Sequence, residues 1–113
     1  SISVTTTATS YNTSSDYRLK DEIAPIEGSG AFIDALKPRQ GVWKSDRSPF
    51  VGFIAHEFAE VSPSSVSGEK DAEDENGNPI YQSMQASSPE VMANIIAELQ
   101  SLRARVAELE TRQ

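Results

Sequence analysis

The clearest pattern in the chain lies at its C-terminal end. Met92, Ile95, Leu99, Leu102, Val106 and Leu109 follow one another at intervals of 3, 4, 3, 4 and 3 residues. That spacing is a heptad seam, with Met92, Leu99 and Val106 at a and Ile95, Leu102 and Leu109 at d. Ser88-Pro89-Glu90 supplies a helix start: a serine N-cap, a proline in the first turn and an acid near the positive end of the dipole. No Gly or Pro follows, so the pattern predicts one helix over residues 88–113. Glu98 at g and Arg103 at the next e carry opposite charges, as do Arg105 and Glu110. In a parallel homo-oligomer these pairs meet between chains. Ile at d, and Ile96 at e, lean toward three chains rather than two. The competing expectation is a single amphipathic helix packed on its own domain.

Upstream the pattern breaks into short pieces. Ala31 to Leu36 predicts a short amphipathic helix with Phe32, Ile33 and Leu36 on one side, ended by Pro38. Gln40 to Lys44 predicts a strand carrying Val42 and Trp43, and Asp46 to Pro49 a turn. Val51 to Ala55, preceded by Phe50, predicts a buried strand. His56 to Val61 predicts one or two helical turns with Phe58 and Val61 inward, stopped by Pro63. Tyr17, Leu19, Trp43 and Phe53 are expected in a core or an interface. Residues 62–78 are a long polar loop with five acidic residues against one lysine, and Asn76-Gly77 marks a hairpin tip. Residues 1–14 stand apart: nine of the fourteen are Ser or Thr, while Ile2 and Val4 alternate with polar residues as in a strand. This segment is either the end of a β-rich stalk or a disordered linker. The expected fold class is therefore α+β. A small mixed domain of short strands and helices (15–87) follows the stalk end (1–14) and leads into a parallel trimeric coiled coil (88–113).

Composition narrows the function. The 113 residues suffice for one modest domain, and at 37% hydrophobic content some apolar surface is expected to need a partner chain. The net charge of −7 argues against binding nucleic acid or docking on anionic membranes. There is no cysteine, hence no disulfide frame or thiolate metal site. No apolar run reaches membrane-spanning length. A calcium-loop alignment on Gly77 puts Ala72 and Ser83 where carboxylates are required, so no metal is expected. Gly28-Ser29-Gly30 is too short for a phosphate cradle, and no cofactor is expected. The chain begins at Ser1 without a methionine, which suggests a piece of something longer.

Candidate chemistry sits in Ser15-Asp16-Tyr17-Arg18-Leu19-Lys20. A serine hydroxyl is a poor nucleophile until a base takes its proton. Lysine serves as that base only if burial or a nearby cation favours its neutral form, and Arg18 is near enough in sequence to be such a cation. Five positions on a regular helix would set Ser15 and Lys20 about 140° apart, so a turn or extended loop is expected here. Downstream lies Gly52-Phe53-Ile54-Ala55-His56-Glu57. His56, the sole histidine, either supports the site, in the extreme as a Ser15-His56-carboxylate triad, or caps the strand–helix junction. Glu57 is expected to pair with Lys20 or Arg18, or to share that capping role.

The two blocks in this order resemble the intramolecular chaperone auto-processing family. That family ends phage endosialidases, tailspikes, neck appendages and tail fibres, and related domains occur in eukaryotic myelin regulatory factor-like proteins. The resemblance runs from about Ser15 to the final helix. It implies cleavage of the Ser14–Ser15 bond by Ser15 as nucleophile and Lys20 as base, once per chain and in cis. It also implies a homotrimer whose partner is the upstream β-stalk of the same polypeptide. Such a device would help the stalk fold in the host cytoplasm during phage assembly, then leave, absent from the mature virion. The dyad would come together only in a correctly built trimer. The alternatives are a trimerisation cap that never cleaves, and an auto-processing domain that frees a eukaryotic membrane-bound transcription factor.

Overall fold

The computed structural model describes residues 15–112; the strand expected around Ile2 and Val4, the Ser14 side of the expected cleavage bond, and Gln113 lie outside them. The order of elements is a 3-10 turn at Tyr17–Leu19, then α1 (Ser29–Ala35), β1 (Arg39–Val42), β2 (Pro49–Gly52) and α2 (Ala55–Val61). A second 3-10 turn at Pro63–Ser65 follows, then β3 (Val66–Ser67), β4 (Ser83–Met84) and α3 (Pro89–Thr111). This is a small mixed α and β domain with short strands and a long C-terminal helix.

β1 and β2 form an antiparallel hairpin in the register Arg39 to Gly52 through Val42 to Pro49. Asp46 closes its turn by accepting from the Ser48 backbone at 3.0 Å and hydroxyl at 2.7 Å. The rings of Trp43 and Phe50 lie 5.5 Å apart. Gly41 makes room for Phe50: a Cβ there would stand 2.9 Å from the ring edge. The strand expected at Val51 to Ala55 runs two to three residues earlier and is not buried, with Val51 84% exposed. A two-stranded hairpin has no third strand to cover it, so the alternation of apolar residues leaves one set facing water. Arg39 reaches from β1 to α2 and grips Glu57 with both arms, at 3.0 and 2.8 Å.

Phe58 is the inward residue of α2, as its spacing predicts, and Phe53 stacks on it at 4.9 Å. The stretch expected to be a long loop is partly ordered. β3 pairs with β4, and Glu73 bridges Pro79 around a tip at Asn76-Gly77. Gly77 takes φ +81°, a conformation open to glycine without strain, and Asp74 accepts from the backbones of Asn76 and Asn78.

α3 starts where Ser88-Pro89-Glu90 predicts, with Ser88 accepting from the Val91 backbone. Around this start four hydroxyls and a carboxylate form a chain. Ser88 meets Ser65 at 2.6 Å, Ser65 meets Ser62 at 2.6 Å, and Ser62 donates to Glu90 at 2.5 Å. Ser64 donates to the same Glu90 oxygen at 2.9 Å. Ser62 is wholly buried, and Ser65 and Ser88 nearly so. Farther along, α1 packs on α3, where the Ser29 hydroxyl donates to Glu98 at 3.0 Å.

The first half of α3 therefore turns Val91, Asn94 and Glu98 toward its own domain. These are g and c positions, not the seam. The six seam residues remain 40–57% exposed. The expectation of a helix that packs its apolar stripe on its own domain is thus not met: the stripe faces away. Among the described residues the buried hydrophobic side chains are Phe58 and Val91. Tyr17, Leu19 and Trp43, expected in a core or interface, are exposed. The radius of gyration is 18.6 Å, against about 13 Å for a compact chain of this length.

Two predictions follow from these tertiary links. Ser65→Ala strands buried partners on both sides, so it should lower unfolding free energy by about 1–3 kcal/mol in urea titration. Ser67→Ala, on the exposed β3–β4 surface, should change it far less. The Arg39 guanidinium holds the Glu57 carboxyl below the usual glutamate range, first by hydrogen bonding. A lowered folded value means a contribution that is present above the unfolded value and lost as pH falls through the folded one. Wild-type stability should therefore drop below about pH 4.3, and Glu57→Gln should remove that part of the dependence. An acid titration followed by circular dichroism checks this.

Candidate functional site

The segment from Ser15 to Lys20 folds as a tight turn. Asp16 caps it, accepting from the Arg18 backbone at 2.9 Å. The Lys20 backbone closes it on the Tyr17 carbonyl at 3.1 Å. A 3-10 turn winds at three residues per turn rather than 3.6, and its ends here are extended. That geometry folds positions 15 and 20 back on each other. The Lys20 ammonium donates to the Ser15 hydroxyl at 2.5 Å, within one chain. The local form is the turn expected from the five-residue spacing, and it does not require a second chain to bring the two groups together.

The supporting residues fall out differently. Arg18 is not a bare cation beside Lys20. Its guanidinium clasps Asp16 at 3.0 and 2.8 Å, and each partner favours the charged form of the other: Asp16 is held below its ordinary value and Arg18 above. Its positive charge is largely answered by that carboxylate, which weakens it as an aid to a neutral lysine. Glu57 pairs with neither Lys20 nor Arg18; it is taken by Arg39. His56 lines a shallow cavity with Glu69, Lys70, Asp71, Ile80 and Tyr81, between α2 and the acidic hairpin. It makes no hydrogen bond to Ser15, so among the described residues the triad Ser15-His56-carboxylate is not formed.

Both members of the pair are exposed to solvent, and so are the apolar side chains around them. Tyr17 is 74% exposed, Leu19 73% and Ile23 71%. Among the described residues the turn takes no part in the principal packing contacts of the domain. Sequence reasoning gave these three only a general core or interface role, or none in the case of Ile23. Their alternation with Asp16, Arg18 and the acids Asp21 and Glu22 looks like an ordinary solvated stretch.

The seam residues lie together along the outer face of α3, and Leu99, Leu102, Val106 and Ala107 line a groove with Arg103 and Glu110 at its side. Glu98 is engaged by Ser29 of its own chain, so its expected partner Arg103 of another chain would compete with that hydroxyl. Among the described residues no cluster of His, Asp or Glu is arranged to hold a metal ion, and no helix is long and apolar enough to cross a membrane.

Comparison with known proteins gives one family. No curated protein matches the chain. Residues 15–67 match the family described as chaperone of endosialidase, peptidase S74. The match opens on Ser15 and takes in Lys20, the Gly52 to Glu57 block and the buried serines Ser62 and Ser65; it stops before the β4 strand and α3. Its peptidase designation fits a serine-type self-cleaving domain, and its description fits an intramolecular chaperone. Over that segment the chain matches the chaperone-of-endosialidase family, which supports its recognition as a C-terminal intramolecular chaperone domain.

Proposed function

We propose that this domain trimerises through α3, assists the folding of a β-stalk upstream on the same polypeptide, and then releases itself by cutting the Ser14–Ser15 bond. The observation that carries the reading is the contact between Lys20 and Ser15 at 2.5 Å, at the very start of the matched segment. A neutral Lys20 amine takes the Ser15 hydroxyl proton. The oxygen attacks the Ser14 carbonyl carbon, the C–N bond breaks, and the Ser15 nitrogen leaves as an amine after gaining a proton. The resulting ester joins the Ser14 acyl group to the Ser15 oxygen. Water hydrolyses it, giving a carboxylate at Ser14 and restoring the Ser15 hydroxyl. The reaction needs no cofactor or metal and turns over once.

The exposed seam supports the assembly half. Held in register by three helices, the upstream segments gain a high effective concentration for one another, which offsets the entropy of a slow, non-local pairing. Cutting afterwards removes the helper and leaves a product that is hard to reverse. The natural setting is the host cytoplasm during phage assembly, with the released domain absent from the virion.

Intact mass of the 113-residue chain tests the chemistry. Wild type should lose residues 1–14, while Ser15→Ala and Lys20→Ala should stay whole. A wild-type chain that stays whole, with trimers in sedimentation, would favour the non-cleaving cap. Leu99→Asp should place a charge in each of three facing core positions and shift the protein to monomer. A Leu99→Asp protein that still sediments as a trimer would refute the seam.

A further inference from the structure

The pair is already in contact in a single chain, so contact alone does not gate the reaction. Water does. A lysine in water holds its proton at neutral pH, and removal from water is the strongest lever that makes the neutral amine accessible. Here Lys20 stands in solvent and donates to the hydroxyl it must deprotonate. The charged groups along its segment are Asp16 and Arg18, which are clasped together, and Asp21 and Glu22. None of these is an unpaired cation beside the amine, so the segment's own charges do not supply the activation.

What the segment does supply is a set of exposed apolar side chains. Tyr17, Leu19 and Ile23 flank the base, and each is more than 70% exposed. We infer that these three are positioning residues: on trimerisation they press against a neighbouring copy and exclude water from Lys20. The inference rests on the self-cleavage proposed above.

The occupant is a second copy because the site is tied to the seam. Lys20 lies nine residues before Ser29, a span of at most about 30 Å. Ser29 is bonded to Glu98, the neighbour of seam residue Leu99. Copies joined along α3 therefore bring their turns into one another's reach. The rest of the described domain buries too few hydrophobic side chains to provide such a cover itself.

The test is a pH–rate profile of cleavage, read by intact mass on chains purified denatured and refolded by dilution. Tyr17→Ser, Leu19→Ser and Ile23→Ser should remain trimeric, cut at least about tenfold more slowly at pH 7, and recover as pH rises, since each unit frees about tenfold more amine. Tyr17→Phe and Leu19→Met should behave as wild type, and Lys20→Ala should not recover at any pH. Uncut Ser15→Ala chains give a second readout that needs no cleavage. Competitive acetylation of Lys20 should be at least about tenfold slower in the trimer than in the monomeric Ser15→Ala/Leu102→Asp chain. Equal acetylation, or serine variants with a wild-type profile, would overturn the inference. So would wild-type cutting by the Leu102→Asp monomer, which would place the cover within the chain, residues 1–14 included. A wild-type chain that never cuts, or a Lys20→Ala chain that cuts normally, would instead remove the self-cleavage reading beneath it.

Discussion

A seam of six apolar residues that faces water is the constraint from which the rest of this molecule takes its meaning. Burying an aliphatic side chain is worth about 1.5–3 kcal/mol, and α3 leaves Met92, Ile95, Leu99, Leu102, Val106 and Leu109 largely unburied. The helix does pack on its own domain, but with a different face. Val91, Asn94 and Glu98 make those contacts, and the Ser62–Ser65–Ser88–Glu90 chain fixes the helix start. The two faces have separate tasks. One sets the helix on the domain, and the other is left exposed, as the proposed helix partners require. A domain attached that firmly to its helix is carried into register whenever helices associate.

The polar latch matters for that reason. Hydroxyl-to-hydroxyl bonds at 2.6 Å add little stability, since folding merely exchanges them for bonds to water. They are demanding in geometry, however, and costly to leave unmade once buried. A hydrophobic contact between α3 and the Pro63–Ser65 turn would tolerate sliding. A chain of serines ending on Glu90 holds one arrangement.

Much of this was legible in the sequence, for a physical reason in each case. The start of α3 follows from local capping chemistry, and its seam from a period that only a helix satisfies. The hairpin tip at Asn76-Gly77 follows from the positive φ that glycine allows. The Ser15–Lys20 approach needs only a turn across five positions. What the sequence concealed is long-range. Ser65 and Ser88 are 23 residues apart, and Arg39 and Glu57 are 18 apart. No local rule selects Arg39 over Lys20 as the partner of Glu57. The Val51 strand was misjudged because an apolar β-branched run looks buried whether or not another layer exists to bury it. The same ambiguity hid Tyr17, Leu19 and Ile23, whose exposure is informative only once their neighbours are known.

On the proposed self-cleavage, these observations bear on the order of events. If the nucleophile and base met only on assembly, premature cutting would be prevented by distance, and fluctuations of a flexible segment would breach that barrier often. A preformed pair surrounded by water is held back differently. The turn is held by Asp16 and by its own backbone bonds, which keep positions 15 and 20 within reach of each other. In the mechanism proposed above its restraint is the surrounding water, which persists as long as the turn stands in solvent and does not depend on where the chain wanders. On that proposal assembly has to do one thing, remove water, and an apolar contact does that without rearranging the site. On the proposed mechanism, the entropic cost of ordering the reacting groups is met as a single chain folds, before the trimer that we propose as the trigger.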